Sequence, residues 1–135
     1  MLSVDHDSIS RINMDNGSLE PLQELPLSSE AGDYGAEIVF NSAGDRVYAS
    51  SRGTGVMVVY SLDPDTENLA RIQELQQNGS WPRHFALGED LLVTSDQRGD
   101  SLQVMHVMHA DDSGLLIPGK IVDTEMAPAF IAFLN

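Results

Sequence analysis

Short apolar runs of four to eight residues recur along the whole chain, and none sustains a 3.6-residue period over the length of a helix. Ala36-Glu37-Ile38-Val39-Phe40, Arg46-Val47-Tyr48-Ala49-Ser50-Ser51 and Val56-Met57-Val58-Val59-Tyr60 are rich in β-branched and aromatic residues. Gly, Asp, Asn and Pro separate them, as tight turns separate strands. The Val56–Tyr60 run is apolar at every position. A strand with one wet face alternates polar and apolar residues, so this run predicts a strand covered on both faces.

The pattern repeats. The block from Ala36, through Gly44-Asp45, Arg46–Ser51, Gly55–Asp63 and Asn68-Leu69, returns as Pro82–Ala86, Gly88-Glu89, Asp90–Ser95, Ser101–Val107 and Gly114-Leu115. Leu69 and Leu115 are 46 residues apart, as are Pro82 and Pro128. Gly44 and Gly88 are 44 apart, the difference being absorbed at Gln97–Asp100. A further copy opens at Pro128–Phe133, and an earlier one is visible in Ser8–Asp15, Leu19 and Leu22–Leu25, where Gln23-Glu24-Leu25 anticipates Gln73-Glu74-Leu75. Four short strands per repeat of 40–50 residues are the signature of a β-propeller blade, and a β-sandwich would not show this self-similarity.

The fold class expected is therefore all-β, a partial β-propeller of about two full four-stranded blades plus parts of two more. Residues 1–34 are read as the outer strands of one blade, 35–80 and 81–127 as whole blades, and 128–135 as the inner strand of another. Propellers close with about four to eight blades. An open stack leaves apolar faces and unpaired edges that invite association. The sequence reads as a portion of a ring, and remaining blades or self-association are expected as partners.

Length and charge narrow the function classes. The 135 residues allow one domain with a real core, and 41% hydrophobic residues are ordinary for a globular chain. With 21 acidic against 7 basic side chains the net charge is -14, which argues against nucleic acid or an anionic membrane surface as a partner. No apolar stretch is long enough to span a bilayer, and residues 1–7 lack the basic and apolar regions of a signal peptide, so a cytoplasmic protein is expected. The absence of cysteine removes disulfides, thiolate metal sites and a cysteine nucleophile. The sequons at Asn16 and Asn78 each begin with Asn-Gly and read as turns.

Four ordered motifs stand in register with the repeat: Ala36-Glu37-Ile38, Tyr48-Ala49-Ser50-Ser51-Arg52-Gly53, Gly79-Ser80-Trp81-Pro82-Arg83-His84-Phe85 and Asp96-Gln97. Together they resemble the seven-bladed lactonase family, which includes bacterial-type 6-phosphogluconolactonases and fungal carboxy-cis,cis-muconate cyclases. The resemblance covers essentially the whole chain and maps to the C-terminal part of the family's propeller. Ser51 and Asp96 depart from it, since the family usually has Asn at both places. The resemblance implies a lactonase that hydrolyses, or reversibly forms, an anionic sugar-acid or muconate lactone, with no cofactor and no metal.

In a propeller the loops that enter strand A and the loops that join strands B and C lie at one end of the ring. Glu37 and Arg83 open strand A in consecutive repeats and Arg52 lies in a B–C loop, so one carboxylate and two guanidiniums share a channel mouth. Glu37 and Arg83 are the catalytic candidates: a carboxylate moves a proton, and a guanidinium polarises a lactone carbonyl. Arg52, with His84 and Gln97 from the same motifs, is a candidate substrate contact. Structural roles compete at each position: a Glu37–Arg83 ion pair between blades, Arg52 as a strand-end cap, and His84 as inter-blade packing.

The remaining motifs read as structure. His106 and His109 are three apart, on opposite faces of a strand, which does not make a metal pair. Asp63–Asn68 loosely resembles a calcium loop, but a turn between strands explains it, with Asp111–Gly114 in the same place of the next repeat. Gly53-Thr54-Gly55 opens no helix, Trp81 is core or channel wall, and no Gly-x-Ser-x-Gly elbow is present. A non-catalytic propeller fragment acting as a protein-binding or self-associating scaffold is the alternative reading.

Overall fold

The computed structural model describes residues 1–5, 7–14, 18–79 and 81–134. Eleven strands fill it: β1 (Leu2–Val4), β2 (Ser8–Asn13), β3 (Glu20–Pro26), β4 (Gly35–Phe40), β5 (Arg46–Ser51), β6 (Val56–Leu62), β7 (Leu69–Gln76), β8 (Pro82–Leu87), β9 (Leu91–Asp96), β10 (Ser101–Val107) and β11 (Leu116–Asp123). They form antiparallel sheets in sequence order, β1-β2-β3, β4-β5-β6-β7 and β8-β9-β10-β11. These are a partial first blade and two whole blades of a β-propeller, as the repeat predicts. Leu2–Val4 is a strand that the repeat does not predict; it pairs with Ile9–Arg11 and stands where β5 and β9 stand in the other blades. Among the described residues the one helical element is a 3₁₀ turn, Ala110–Asp112. The Asn-Gly expected as a turn at Asn16 lies outside the described residues.

The covered strand is explained by its two faces. Val56, Val58 and Tyr60 point toward the first blade, into a cluster with Ile9, Leu27, Val47, Ala49 and Leu69. Met57 and Val59 point the other way, into a cluster with Tyr48, Phe85, Leu92, Met105 and Leu116. The middle blade is thus buried between its neighbours, and each blade-to-blade contact has its own core. Outer strands β7 and β11 bury their leading Leu69 and Leu116 and expose most of their remaining residues.

Hydrogen bonds repeat at the blade junctions. Gln23 on β3 donates to the carbonyl of Leu69 (2.9 Å) and accepts from its N–H (2.8 Å). Gln73 on β7 treats Leu116 identically, at the same 2.9 and 2.8 Å. An outer-strand glutamine therefore stands in for a missing strand partner of the next blade's first outer residue. The equivalence fixes the repeat at Leu69 to Leu116, 47 residues, one more than the sequence alignment of Leu69 with Leu115. Gly114, at φ 65°, packs where a Cβ would approach the Tyr48 hydroxyl to 3.0 Å, and its carbonyl accepts that hydroxyl's hydrogen bond at 2.7 Å.

Pro128–Phe133 forms no strand ladder. It lies against β8, where the Ile131 N–H donates to His84 Nδ1 (3.3 Å) and the Phe130 ring stacks on the His84 ring.

Candidate functional site

Strand alternation brings four connections to one end of the stack: residues 27–34 before β4, 52–55 between β5 and β6, 77–79 and 81 before β8 and 97–100 between β9 and β10. Backbone bonds join them in pairs. Arg52 N–H donates to Tyr34 O (2.7 Å), Gln77 N–H to Gly55 O (3.0 Å), and Gln97 N–H to Trp81 O (3.2 Å). This is the mouth to which the sequence assigns Glu37, Arg52 and Arg83. Loops held on a rigid sheet are where binding groups are usually placed.

Both inner strands enter the mouth through a β-bulge. On β4 the register slips between Gly35 and Ile38, and on β8 between Pro82 and His84. A bulge re-aims the side chains around it. The ladders set Ile38 opposite Ala49 and Phe85 opposite Thr94, while Gly35 faces Ser51 as Pro82 faces Asp96. Glu37 is therefore the counterpart of His84, 47 residues on, and Ala36 that of Arg83. The expected pairing of Glu37 with Arg83 is not what forms. Glu37 Oε2 meets His84 Nε2 at 3.4 Å, and Arg83 Nη1 instead donates to Gln97 Oε1 at 3.2 Å. Arg83 is the extra residue of the β8 bulge, between Pro82 opposite Asp96 and His84 opposite Ser95.

Two aspartates tie the loops. Asp33 is 2% exposed and accepts from Ser28 Oγ (2.7 Å), Tyr34 N–H (2.9 Å), Thr54 N–H (3.0 Å) and the Thr54 hydroxyl. Burial opposes its ionisation, but the bonds from Ser51, Thr54 and Ser28 outweigh burial and hold the carboxyl well below the ordinary aspartate range. A side chain at Gly53 would run into this carboxylate. In the next blade Asp96 does the corresponding work, accepting from Trp81 N–H at 2.8 Å, with Gly79 and Gly99 against it. Asp96 is one of the two departures from the lactonase pattern. Asp33 belongs to none of the four motifs, although an aspartate beside a Gly-rich turn is a loop-tying signal.

Trp81, the single tryptophan, is the centre of the mouth. Arg98 lies over its ring, with the guanidinium carbon 3.4 Å from the centroid, and the Arg52 guanidinium is 5.9 Å from it. Tyr34 packs at 6.4 Å. Arg52 also donates to Gly35 O (3.0 Å), the strand-end cap that the sequence allows, while its buried Nε has no partner among the described residues. The sequence does not reveal Arg98, because the loop length at Gln97–Asp100 conceals where it stands.

The distribution of cations is uneven. Arg11, Arg46 and Arg71 pair with Glu67, Asp45 and Glu74. Arg52, Arg83 and Arg98 form no ion pair among the described residues, and all three stand at this mouth. At the other rim a cleft of about 940 Å³ runs between the second and third blades, lined by Asp45, Arg46, Glu89 and His109 among others. Its arginine is occupied: Arg46 donates to the carbonyls of Ser113 (2.9 Å) and Asp112 (2.6 Å). His109 there pairs with Asp90 (3.0 Å), and His106 lies exposed on β10. No group of three or more potential metal ligands occurs among the described residues. Asp63 takes the N–H groups of Asp65 and Thr66 as a turn does.

The family profile described as "Lactonase, 7-bladed beta-propeller" matches residues 6–121. Among solved structures, the periplasmic gluconolactonase of Pseudomonas aeruginosa superposes with a TM-score of 0.82 at 20% identity, covering 93% of this chain and 36% of that one. A candidate 6-phosphogluconolactonase of Bacteroides uniformis gives 0.79 at 20% identity, covering 93% and 36%. A Lactobacillus plantarum protein gives 0.80 at 21% identity, covering 90% and 37%. At these identities the likeness is one of fold. The chain spans little more than a third of each of these structures. No curated protein is a significant match to the chain.

Proposed function

The chain belongs to the seven-bladed β-propeller lactonase family, and from that premise we propose that its mouth contributes to opening an anionic sugar-acid or muconate lactone. The observation that carries this reading is the convergence of Arg52, Arg83 and Arg98, the three arginines without a carboxylate partner among the described residues, on the mouth that holds Glu37. A guanidinium with no carboxylate in contact keeps its planar fork of donors free for an anion, even with Asp33 and Asp96 tying the loops nearby.

Glu37 acts as general base. It takes a proton from water as the oxygen adds to the lactone carbonyl, and gives that proton to the ring oxygen as the acyl C–O bond breaks. Arg83, aligned by Gln97, and Arg52 stabilise the charge that develops on the carbonyl oxygen. Arg98 and Trp81 flank the bound anion. His84 contacts Glu37 and, in this reading, also borders the substrate.

The test is hydrolysis of neutral and phosphorylated gluconolactones by the chain alone and by a ring completed with further blades. Turnover in the completed ring that is lost in Glu37→Gln supports the reading; unchanged turnover in Glu37→Gln removes Glu37 from it. Trp81 reports binding separately. Gluconate or phosphogluconate should change its fluorescence, and Arg98→Gln should abolish that change.

One observation favours the scaffold reading as well. Leu69 and Leu116, gripped by the preceding blade's glutamine, are 4% and 2% exposed, whereas the corresponding Leu19 of the first blade is 64% exposed. A blade or a second copy that covers Leu19 would complete the pattern. The monomer mass at all concentrations in light scattering would argue against a second copy.

A further inference from the structure

We infer that His84 is a positioning residue for Glu37, fixed as its Nε2–H tautomer by the backbone of the next repeat; the inference deepens the reading of Glu37 as general base and rests on it. Glu37, His84 and Phe130 occupy the same place in successive repeats, 47 and then 46 residues apart. Each touches the next. His84 Nε2 is 3.4 Å from Glu37 Oε2, and the Phe130 and His84 ring centroids are 4.2 Å apart.

The tautomer is dictated by the one group that Ile131 can offer. Its backbone N–H has only a proton to give, and it points at His84 Nδ1 from 3.3 Å. Nδ1 must therefore be the bare nitrogen of a neutral ring, which leaves the proton on Nε2, the atom that faces Glu37. Ser95 Oγ donates to the His84 carbonyl at 3.0 Å and fixes the strand beneath the ring. Glu37 Oε1 accepts from the N–H of Ile38 at 3.3 Å. The carboxylate thus accepts from its own strand at one oxygen and meets the ring of the next blade, 3.4 Å away, at the other. Three repeats meet at one general base. This orients Glu37 without supplying it a proton, so His84 positions the base and takes no part in the bond changes.

The experiment is nitrogen-15 NMR of the full chain labelled in histidine, with His84→Gln to identify the signal among four histidines. The expected spectrum shows neutral His84 protonated at Nε2, with the Ile131 amide exchanging more slowly than in His84→Ala. Glu37 side-chain couplings should be fixed in the native chain and averaged in His84→Ala. They should be restored in His84→Gln, whose amide N–H reaches where Nε2 does. A ring protonated at Nδ1, a rapid mixture of tautomers, or a Glu37 side chain indifferent to His84→Ala would each overturn the inference. The readout needs no turnover. A completed ring that opens no lactone while His84 keeps this tautomer defeats the lactonase reading and leaves the positioning of Glu37 standing.

Discussion

The two blade junctions of this chain are built alike at the outer strands and differently at the mouth. Outside, Gln23 holds Leu69 and Gln73 holds Leu116 with the same pair of bonds. At the mouth of the second blade the tie comes from the loop that precedes the inner strand, where Asp33 reaches across to Thr54. At the third blade it comes from the end of β9, where Asp96 reaches back to Trp81. The same two loops are joined by a carboxylate from opposite sides. The blade position filled by Asp96 is Ser51 in the second blade, whose hydroxyl donates to the Tyr34 carbonyl of the same loop at 3.4 Å. Repetition at the outer strands stacks the blades. Divergence at the mouth leaves room for chemistry, since the loops need a tie but not the same one.

Replacing each tying carboxylate in turn tests that divergence, and the heaviest loss is expected here. Asp33→Asn turns an amide N–H₂ toward donors that had a carboxylate, and should cost about 3 kcal/mol by urea unfolding. Asp96→Asn keeps an oxygen for the Trp81 N–H and should cost about 1 kcal/mol. Equal losses would mean that the two ties are interchangeable.

Acid brings out the same contrast. Because the folded-state pKa of Asp33 lies below its unfolded value, its stabilisation is complete above the ordinary aspartate range and is lost as pH falls through and below about 4. Asp33→Asn should therefore show a flatter decline of urea midpoint with acidification than the native chain. A parallel decline would exclude Asp33 as the group responsible.

The outer clamps should behave as equals. Gln23→Ala and Gln73→Ala each leave the N–H and C=O of a buried leucine unpaired, and each should lose about 1–2 kcal/mol. A difference well beyond that range would show that the junctions repeat in appearance only. A still weaker response belongs to the outer ion pair of the first junction. Glu67, with a side chain 70% exposed, meets Arg11 at 3.0 Å. Glu67→Gln should cost less than about 0.5 kcal/mol, and less still in high salt.

Strand positions and blade count are legible in the sequence because they are set by local pattern. The covered Val56–Tyr60 run, the Gly and Asn turns and the recurrence of Gln-Glu-Leu all state their structure without knowledge of what lies across the chain. Leu2–Val4 escapes because three residues carry too little pattern to read. Site residues are legible as a group and not as a set of contacts. The sequence expects Glu37, Arg52 and Arg83 at one mouth, yet its alignment puts Glu37 in register with Arg83, marks Asp33 only by its place beside a Gly turn, and gives no sign of Arg98.

Hydrophobic period and turn chemistry act over a few residues, and they suffice to make this a stack of propeller blades with an acidic exterior and an arginine-bearing mouth. That Glu37 meets His84, that Arg83 turns to Gln97 and that Arg98 covers Trp81 are matters of three-dimensional packing. Strand side chains change face at every residue, so a bulge that shifts the repeat by one exchanges every partner. That shift is set by how β4 and β8 pair with β5 and β9, and such pairing exists only once the blades have formed.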